Sequence, residues 1–440
     1  MVIDESLHTV APKRVALLSD RFLEGFERGT DLLNRLLLDG LSDEFEVTLI
    51  STDIVEFRHD QSVFKRSKRL DASAHPPGRT VMKLRSWPLV STLLYMAFHG
   101  IRRALRLVGV SPTRIGAVDA IRVLGSGPLA PGVLRELVAG RYDIIHVHGF
   151  PTSLSLLALV AASRQGSALV FTANFHFHNE EDAESAVLRR ILCRSAVVIA
   201  RTDPERRELV NRGAREASTL VIPSTVIVPA VMPDEAAVAS FRLKVGISRS
   251  TFVVLSHPWS GKGGHLVLCA VQRLWERGID VALMTIGDPD KTYTATRSRS
   301  RIPMGRVIDL GWVGLSLKWL AFRSSNAFAL PTERDAFGLS FLDAWASGLP
   351  VVACAGTVQA ELITDGETGL LAETCTVESI AEKIALLARS PVKAAELGRA
   401  GNRVLSTRFS PSRIVQLHED AFRLAAAGRQ PSKPNGSGGS

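Results

Sequence analysis

Short apolar runs bounded by turn residues, each followed by a stretch of helical character, recur along this 440-residue chain. Arg14-Val-Ala-Leu-Leu-Ser19 precedes a helical stretch from Asp31 to Leu38, and Phe45-Glu-Val-Thr-Leu-Ile-Ser51 comes next. The alternation continues through Tyr142 to His148, Ala168 to Thr172 and Val197 to Ala200. It resumes through Thr251 to Ser256, Val281 to Gly287, Val307 to Gly311 and Ala327 to Leu330. Strands separated by helices pair in parallel, so the sequence predicts an α/β fold. One hydrophobic core stops growing at roughly 250–300 residues, so a chain of this length divides into two domains. Ligands of parallel sheets sit beyond the carboxyl ends of the strands, which directs attention to the loop after each apolar run.

The run ending at Leu330 leads into Pro331-Thr-Glu-Arg-Asp335-Ala-Phe-Gly338, and Leu339 to Ala346 has helical character, so Phe337 and Gly338 fall at a strand-to-helix junction. A helix start offers backbone N–H donors without intrahelical partners and the positive end of the helix dipole, which together attract phosphate. Glycine there lets a ligand approach the main chain closely. Asp335 and Asp343 stand eight positions apart. The first carboxylate lies at the loop mouth and the second some way along the helix, where each can accept hydrogen bonds from sugar hydroxyls. The plainer reading makes Asp335 a helix cap and Asp343 a solvated helix residue. Upstream, the run to Ser256 ends in His257-Pro-Trp-Ser-Gly261-Lys262-Gly-Gly264, a glycine-rich basic loop. Its lysine reads either as a phosphate ligand or as a solvated turn residue. Asp288 and Asp290 have a spacing that can hold magnesium, but Gly-Asp-Pro-Asp is also a turn sequence, and we read it as a turn.

Together these segments resemble the retaining GT-B glycosyltransferases of the large family-4 type. That family's signature runs Pro-Ser, two residues, Glu, a small residue, Phe-Gly, a second Glu eight positions after the first, then Gly-x-Pro-Val-Val-Ala. Here Pro331 and Thr332 open the pattern, Gly348, Pro350, Val351, Val352 and Ala353 close it, and both glutamates are aspartates. The family's arginine and lysine in the earlier loop correspond to His257 and Lys262. A histidine carries charge only part of the time near neutrality.

The resemblance implies a GT-B architecture of two Rossmann-like parallel-sheet domains facing a central cleft. Residues 1–228 would form an acceptor domain with a basic insert at 65–114, and residues 229–409 a nucleotide-sugar domain. A final helix at 410–427 would pack back on the first domain, ahead of a Pro/Ser/Gly-rich flexible tail at 428–440. It implies no metal and no cofactor beyond the donor, a UDP- or GDP-sugar. The sugar would pass, with retained anomeric configuration, to a glycan or lipid-linked acceptor. Catalytic roles fall on Asp335, Lys262 and His176. Donor binding falls on His257, Gly261, Phe337, Gly338, Leu339, Ser340 and Asp343, and the acceptor side on Gly25, Gly29 and His178. The departures at His257, Asp335 and Asp343 leave a second reading open, a weakened relative that binds a nucleotide or glycan or scaffolds an assembly.

Net charge is +9, and its distribution matters more than its total. Between Lys65 and Arg114 basic residues face a single acid, Asp71. Trp87 to Phe98 within this segment is an apolar run shorter than the ~20 residues a membrane span requires. Apolar and aromatic residues flanked by Lys and Arg are the pattern of helices lying on anionic lipid. The alternative is a buried helix with solvated basic neighbours. No helix-turn-helix, zinc or RNA-reading signature accompanies the charge, which excludes nucleic acid as the expected partner. The N-terminus lacks a secretory or anchoring pattern. Cys193, Cys269, Cys354 and Cys375 are scattered, so we expect separate packing thiols in a reducing cytoplasmic setting, with the chain peripheral on the inner membrane face.

Overall fold

The computed structural model describes residues 11–20, 29–58, 63–66, 77–107, 109–149, 151–174, 184–303, 305–332 and 337–428. The described residues fall into two compact units. The first runs to Ile222 and takes up the chain again at Val415, and the second spans Pro223 to Ile414.

In the first unit the apolar runs become β1 (Lys13–Ser19), β2 (Phe45–Thr52), β5 (Arg79–Leu84), β6 (Ile144–His148), β7 (Ala168–Thr172), β8 (Val197–Ala200) and β9 (Thr219–Val221). They form one sheet in the order β5-β2-β1-β6-β7-β8-β9, and every pairing is parallel. A separate antiparallel pair joins β3 (Ile54–Arg58) to β4 (Val63–Arg66). The strand order doubles back at β1, as crossover helices require when they cover both faces. The last helix, Pro411–Ala427, docks here. Its Phe422 ring meets Phe45 edge-on at 5.8 Å, Glu419 accepts the Ser42 N–H at 2.7 Å, and Arg423 bonds Glu44 at 2.9 Å. Apolar burial supplies the adhesion, and the exposed ion pair adds little to it.

The second unit holds β10 (Phe252–Ser256), β11 (Val281–Thr285), β12 (Val307–Asp309), β13 (Ala327–Ala329), β14 (Val351–Cys354) and β15 (Leu370–Ala372). Their order is β12-β11-β10-β13-β14-β15, again all parallel. Side chains of successive strand residues point to opposite faces, and the two cores of this unit follow that rule. Val254 belongs to a cluster with Val267, Leu268, Val271 and Leu274 on one side. Val253 and Leu255 join Phe328, Phe341 and Trp345 on the other. Buried on both faces, these strands read as continuous apolar runs.

The cysteine expectation needs correction. Cys354, at the end of β14, is disulfide-bonded to Cys375, just beyond β15, while Cys193 and Cys269 remain free. Twenty-one positions separate the pair in sequence, but neighbouring parallel strands bring them to a Cα–Cα distance of 5.5 Å. That lies within the range a disulfide can span.

Candidate active site

The loop after β10 is compact because glycines allow it to be. A turn at Ser260–Lys262 is followed by Gly263 at φ +74°, and the helix Gly264–Glu276 starts there. A Cβ on Gly263 would lie 2.2 Å from the Pro331 carbonyl oxygen, and one on Gly264 2.0 Å from that of His257. The first contact joins this loop to the one after β13. The Thr332 hydroxyl strengthens the junction by donating to the Gly261 carbonyl at 3.2 Å. Two loops from adjacent strands therefore meet through backbone at the carboxyl edge of the sheet, where a ligand can reach both.

Lys262 closes the Ser260 turn and is half-buried. His257 follows β10 directly, and a Cβ on Gly287 would fall 2.5 Å from its Nε2, so the imidazole rests against the turn after β11. Asp290 of that turn caps the helix Lys291–Arg299 by accepting the Tyr293 N–H at 2.8 Å, and also accepts the Ser260 N–H at 3.1 Å. A carboxylate engaged in this way ties the turn to the glycine loop.

Gly338 stands at the start of the helix Leu339–Ala346 with φ +91°. A Cβ there would meet the Phe341 ring at 2.7 Å, so glycine satisfies both conformation and space. Phe337 offers the site only its main chain, because its ring is buried edge-on to Phe409 at 6.0 Å. Leu339 and Ser340 are half-buried and occupy the first helical turn.

Asp343 differs from the solvated helix residue of the plainer expectation. It is 6% exposed, and Lys318 of the helix Leu315–Arg323 donates to its Oδ1 at 2.7 Å. Burial pushes its carboxyl above the usual aspartate range, against the opposing pull of the Lys318 charge and hydrogen bond. Sequence reasoning did not single out Lys318. It lies 25 positions from Asp343, and only the packing of two helices makes them neighbours.

A cavity of about 420 Å³ lies beside the glycine loop, lined by Ser260, Gly261, Gly263, His265, Pro331 and Cys375 among others. Gly338, Lys262 and Asp343 are not part of its wall. The structure thus joins Gly261 to the Pro331–Thr332 loop and places Gly338 at a helix start, with His257 and Asp343 held by separate neighbours. Asp335, Gly25, His176 and His178 lie outside the described residues, and Gly29 begins the helix Gly29–Gly40. Among the described residues no cluster of three or more His, Cys, Asp or Glu side chains is arranged to hold a metal ion.

The first unit has its own buried polar group. His146 and His148 of β6 place their rings 4.1 Å apart, and His146 also lies 5.8 Å from His418 of the last helix. His146 Nε2 meets the Thr172 hydroxyl at 2.9 Å. Neither ring nitrogen of His148 has a hydrogen-bond partner among the described residues. Burial, followed by neighbouring positive groups, holds both rings well below the ordinary histidine range, so they are neutral at pH 7.

Residues 249–404 match the family model "Glycosyl transferases group 1", and residues 98–227 match "Glycosyltransferase Family 4". A D-inositol 3-phosphate glycosyltransferase of Kribbella flavida is 27% identical over 59% of this chain and 66% of its own length, just under two thirds. A phosphatidyl-myo-inositol mannosyltransferase of Mycolicibacterium smegmatis is 27% identical over 69% of this chain and 77% of its own. From the same organism, a GDP-mannose-dependent alpha-(1-6)-phosphatidylinositol monomannoside mannosyltransferase is 27% identical over 62% and 75%. Among solved structures, Anabaena HepE in complex with UDP and glucose superimposes with a TM-score of 0.67 at 16% identity, over 93% of this chain and 99% of that one. Sucrose-phosphate synthase of Thermosynechococcus elongatus gives a TM-score of 0.68 at 17% identity, over 94% and 99%. With two parallel Rossmann-like sheets, glycine-bearing loops at the carboxyl edge of the second and these matches across both units, the chain belongs to the GT-B glycosyltransferases of the family-4 type.

Proposed function

We propose that this protein transfers a hexose from a GDP- or UDP-sugar to an inositol-containing or other lipid-linked acceptor, with retention of configuration and without a metal ion. The observation that carries the proposal is the backbone junction of the loops after β10 and β13, Gly261 with Thr332 and Gly263 with Pro331. A diphosphate seated there would face Lys262 and the first N–H groups of the Leu339 helix. Charge developing on the leaving phosphate would then be stabilised by a fixed cation and helix-end donors. Similarity to the inositol 3-phosphate and phosphatidyl-myo-inositol transferases favours this acceptor class.

In this scheme the acceptor hydroxyl attacks from the face the phosphate leaves, and a phosphate oxygen takes its proton. The protein supplies alignment and electrostatics. Lys262, His257 and the main chain of Gly261 and of Phe337 to Ser340 hold the diphosphate. Asp335 orients sugar hydroxyls, and Asp343 receives the ribose. Gly25, Gly29, His176 and His178 belong to the acceptor side.

A peripheral place on the cytoplasmic membrane face completes the reading. On the helix Pro88–Leu107, Leu89, Leu93 and Met96 are exposed at 71%, 65% and 63%, at the spacing of one helical face. Arg102, Arg103 and Arg106 follow, and the helix contains no acid. Among the described residues no helix is long and apolar enough to cross a membrane. An apolar stripe with basic neighbours matches the chemistry of an anionic lipid surface.

Incubation of the purified chain with GDP- and UDP-hexoses, alone and with phosphatidylinositol vesicles or inositol phosphate, tests the reaction. Release of nucleoside diphosphate and an axial-to-axial product in the proton spectrum support it, while an inverted product removes the retaining step. The second reading, a weakened relative that only binds, draws on Asp343 being engaged by Lys318. Donor binding without hydrolysis or transfer at any pH selects it.

A further inference from the structure

The disulfide joins the end of β14 to the segment after β15, next to the loops of the proposed phosphate site. Cys354 is fully buried at the end of β14, and the half-buried Cys375 lines the cavity beside Ser260, Gly261 and Gly263. The bond closes a loop over residues 355–374. Within that loop Gln359 packs under the helix start, its Cγ 3.3 Å from where a Cβ on Gly338 would stand. The Thr368 carbonyl accepts the Trp345 indole N–H at 3.0 Å, which ties the loop to the Leu339 helix itself. The β14–β15 ladder reaches only Cys354 opposite Ala372, and the Ala355 N–H to Ala372 oxygen bond at 2.8 Å continues it by one step. Past that point the Thr357 hydroxyl bonds back to the Cys354 carbonyl at 2.8 Å. The covalent link therefore constrains a segment that touches Gly338 at one end and the cavity beside the glycine loop at the other.

We propose that Cys354 and Cys375 form a reversible redox latch: the disulfide holds the 355–374 segment beneath the donor site and favours nucleotide binding, and reduction releases it. The effect on the nucleotide rests on the donor reading of these loops, whereas the latch itself does not.

The chemistry is thiol–disulfide exchange with a low-molecular-weight thiol. Its thiolate attacks the accessible Cys375 sulfur, the S–S bond breaks, and the electron pair leaves on the Cys354 sulfur, which takes a proton. A second thiol attacks the mixed disulfide, forming the small-molecule disulfide and freeing Cys375 as a thiol. Two thiols are oxidised as one cystine is reduced, and the small-molecule disulfide runs the sequence backwards.

The full chain, equilibrated with glutathione disulfide or with dithiothreitol, is alkylated in its native state and read by mass spectrometry. Hydrogen exchange and the calorimetric affinities for GDP and UDP are measured on the same samples. The oxidised protein should protect Cys354 and Cys375 from alkylation. The reduced protein should exchange faster across 355–374 and bind its nucleotide roughly fivefold or more weakly, with re-oxidation restoring both. Cys375→Ser should behave as the reduced protein in either buffer. Equal exchange across 355–374 in the two states overturns the latch, as does the same redox response in Cys375→Ser, which would pass the effect to Cys193 or Cys269. If neither nucleotide binds in either state, the donor reading falls, and the exchange comparison alone decides the latch.

Discussion

The Lys318 ammonium lies 2.7 Å from the Asp343 carboxylate, so the second acid of the family signature is a buried ion-pair partner in this protein. The Lys318 amine also stands 4.9 Å from the Trp319 ring centroid, which adds a cation–π contact. The pair joins the helix Leu315–Arg323 to the helix Leu339–Ala346. Those two helices flank β13, the strand that delivers the signature loop.

Replacing Lys318 by methionine leaves the Asp343 carboxylate buried without its cation. Removing one partner of a buried pair costs about 3–5 kcal/mol, and because the Lys318 side chain is 26% exposed the cost here should fall nearer 1–3 kcal/mol. Burial already holds the Asp343 carboxyl above its unfolded range, and losing Lys318 raises it further. Between the unfolded and folded values the native state binds the extra proton, so stability is lost as pH rises through that window. Urea midpoints should show a larger deficit at pH 7 than at pH 4.5, and a pH-independent deficit would contradict this account.

Lys262→Ala should weaken binding of GDP or UDP about 10- to 100-fold, the worth of one charge-assisted hydrogen bond to phosphate. Thermal stability should fall by no more than about 1 kcal/mol, because the side chain is only half-buried. Titration calorimetry gives the first quantity and differential scanning calorimetry the second. Unchanged affinity removes Lys262 from the phosphate site.

Gly263→Ala tests whether the junction of the two loops is obligatory. The new methyl meets the Pro331 carbonyl carbon and oxygen at 2.9 and 2.2 Å, in a backbone conformation that L-residues disfavour. Loss of about 2–4 kcal/mol in unfolding free energy is expected, together with a lower nucleotide affinity. Wild-type stability in this variant would mean the loops can separate freely.

His146 and His148 predict acid sensitivity of the first unit. Their folded affinity for protons is depressed, so the unfolded chain binds more protons once pH falls through about 6.5. Stability should fall on acidification below that point, by up to ~1.4 kcal/mol per pH unit for each histidine that titrates only on unfolding. His148→Gln should reduce the slope between pH 7 and 5 in chemical denaturation. An identical slope in the variant assigns the acid sensitivity to other groups.

Leu93→Ser combined with Met96→Ser should abolish most sedimentation with phosphatidylinositol-containing vesicles while leaving nucleotide affinity unchanged. Each side chain is largely exposed, so little folding free energy is at stake. Retained sedimentation at low salt would place lipid contact on another surface.

Strand identity was legible in the residues because the parallel strands are covered on both faces. A run such as Val253-Val-Leu255 must then be apolar throughout, whatever its neighbours are. The helix Leu339–Ala346, with Gly338 before it, was legible for the same local reason. Departures occurred where the decisive partner is distant. Asp343 read either as a sugar ligand or as a solvated helix residue, and it is paired with Lys318, 25 positions away in sequence. The final helix and its packing on the first domain were expected from the resemblance, whereas the contact that attaches it to β2, Phe422 against Phe45, lies in no local pattern.

Local order along the chain therefore determined the α/β class, the two parallel sheets and the position of the glycine-bearing loops. Periodicity, glycine and helix capping act over a few residues. Tertiary structure alone decided that Asp343 is engaged by Lys318, that Cys354 and Cys375 are joined, and that Gly261 touches Thr332. Those relationships depend on which strands become neighbours, and sheet order is set by collective burial of the whole core, which no short window of sequence contains.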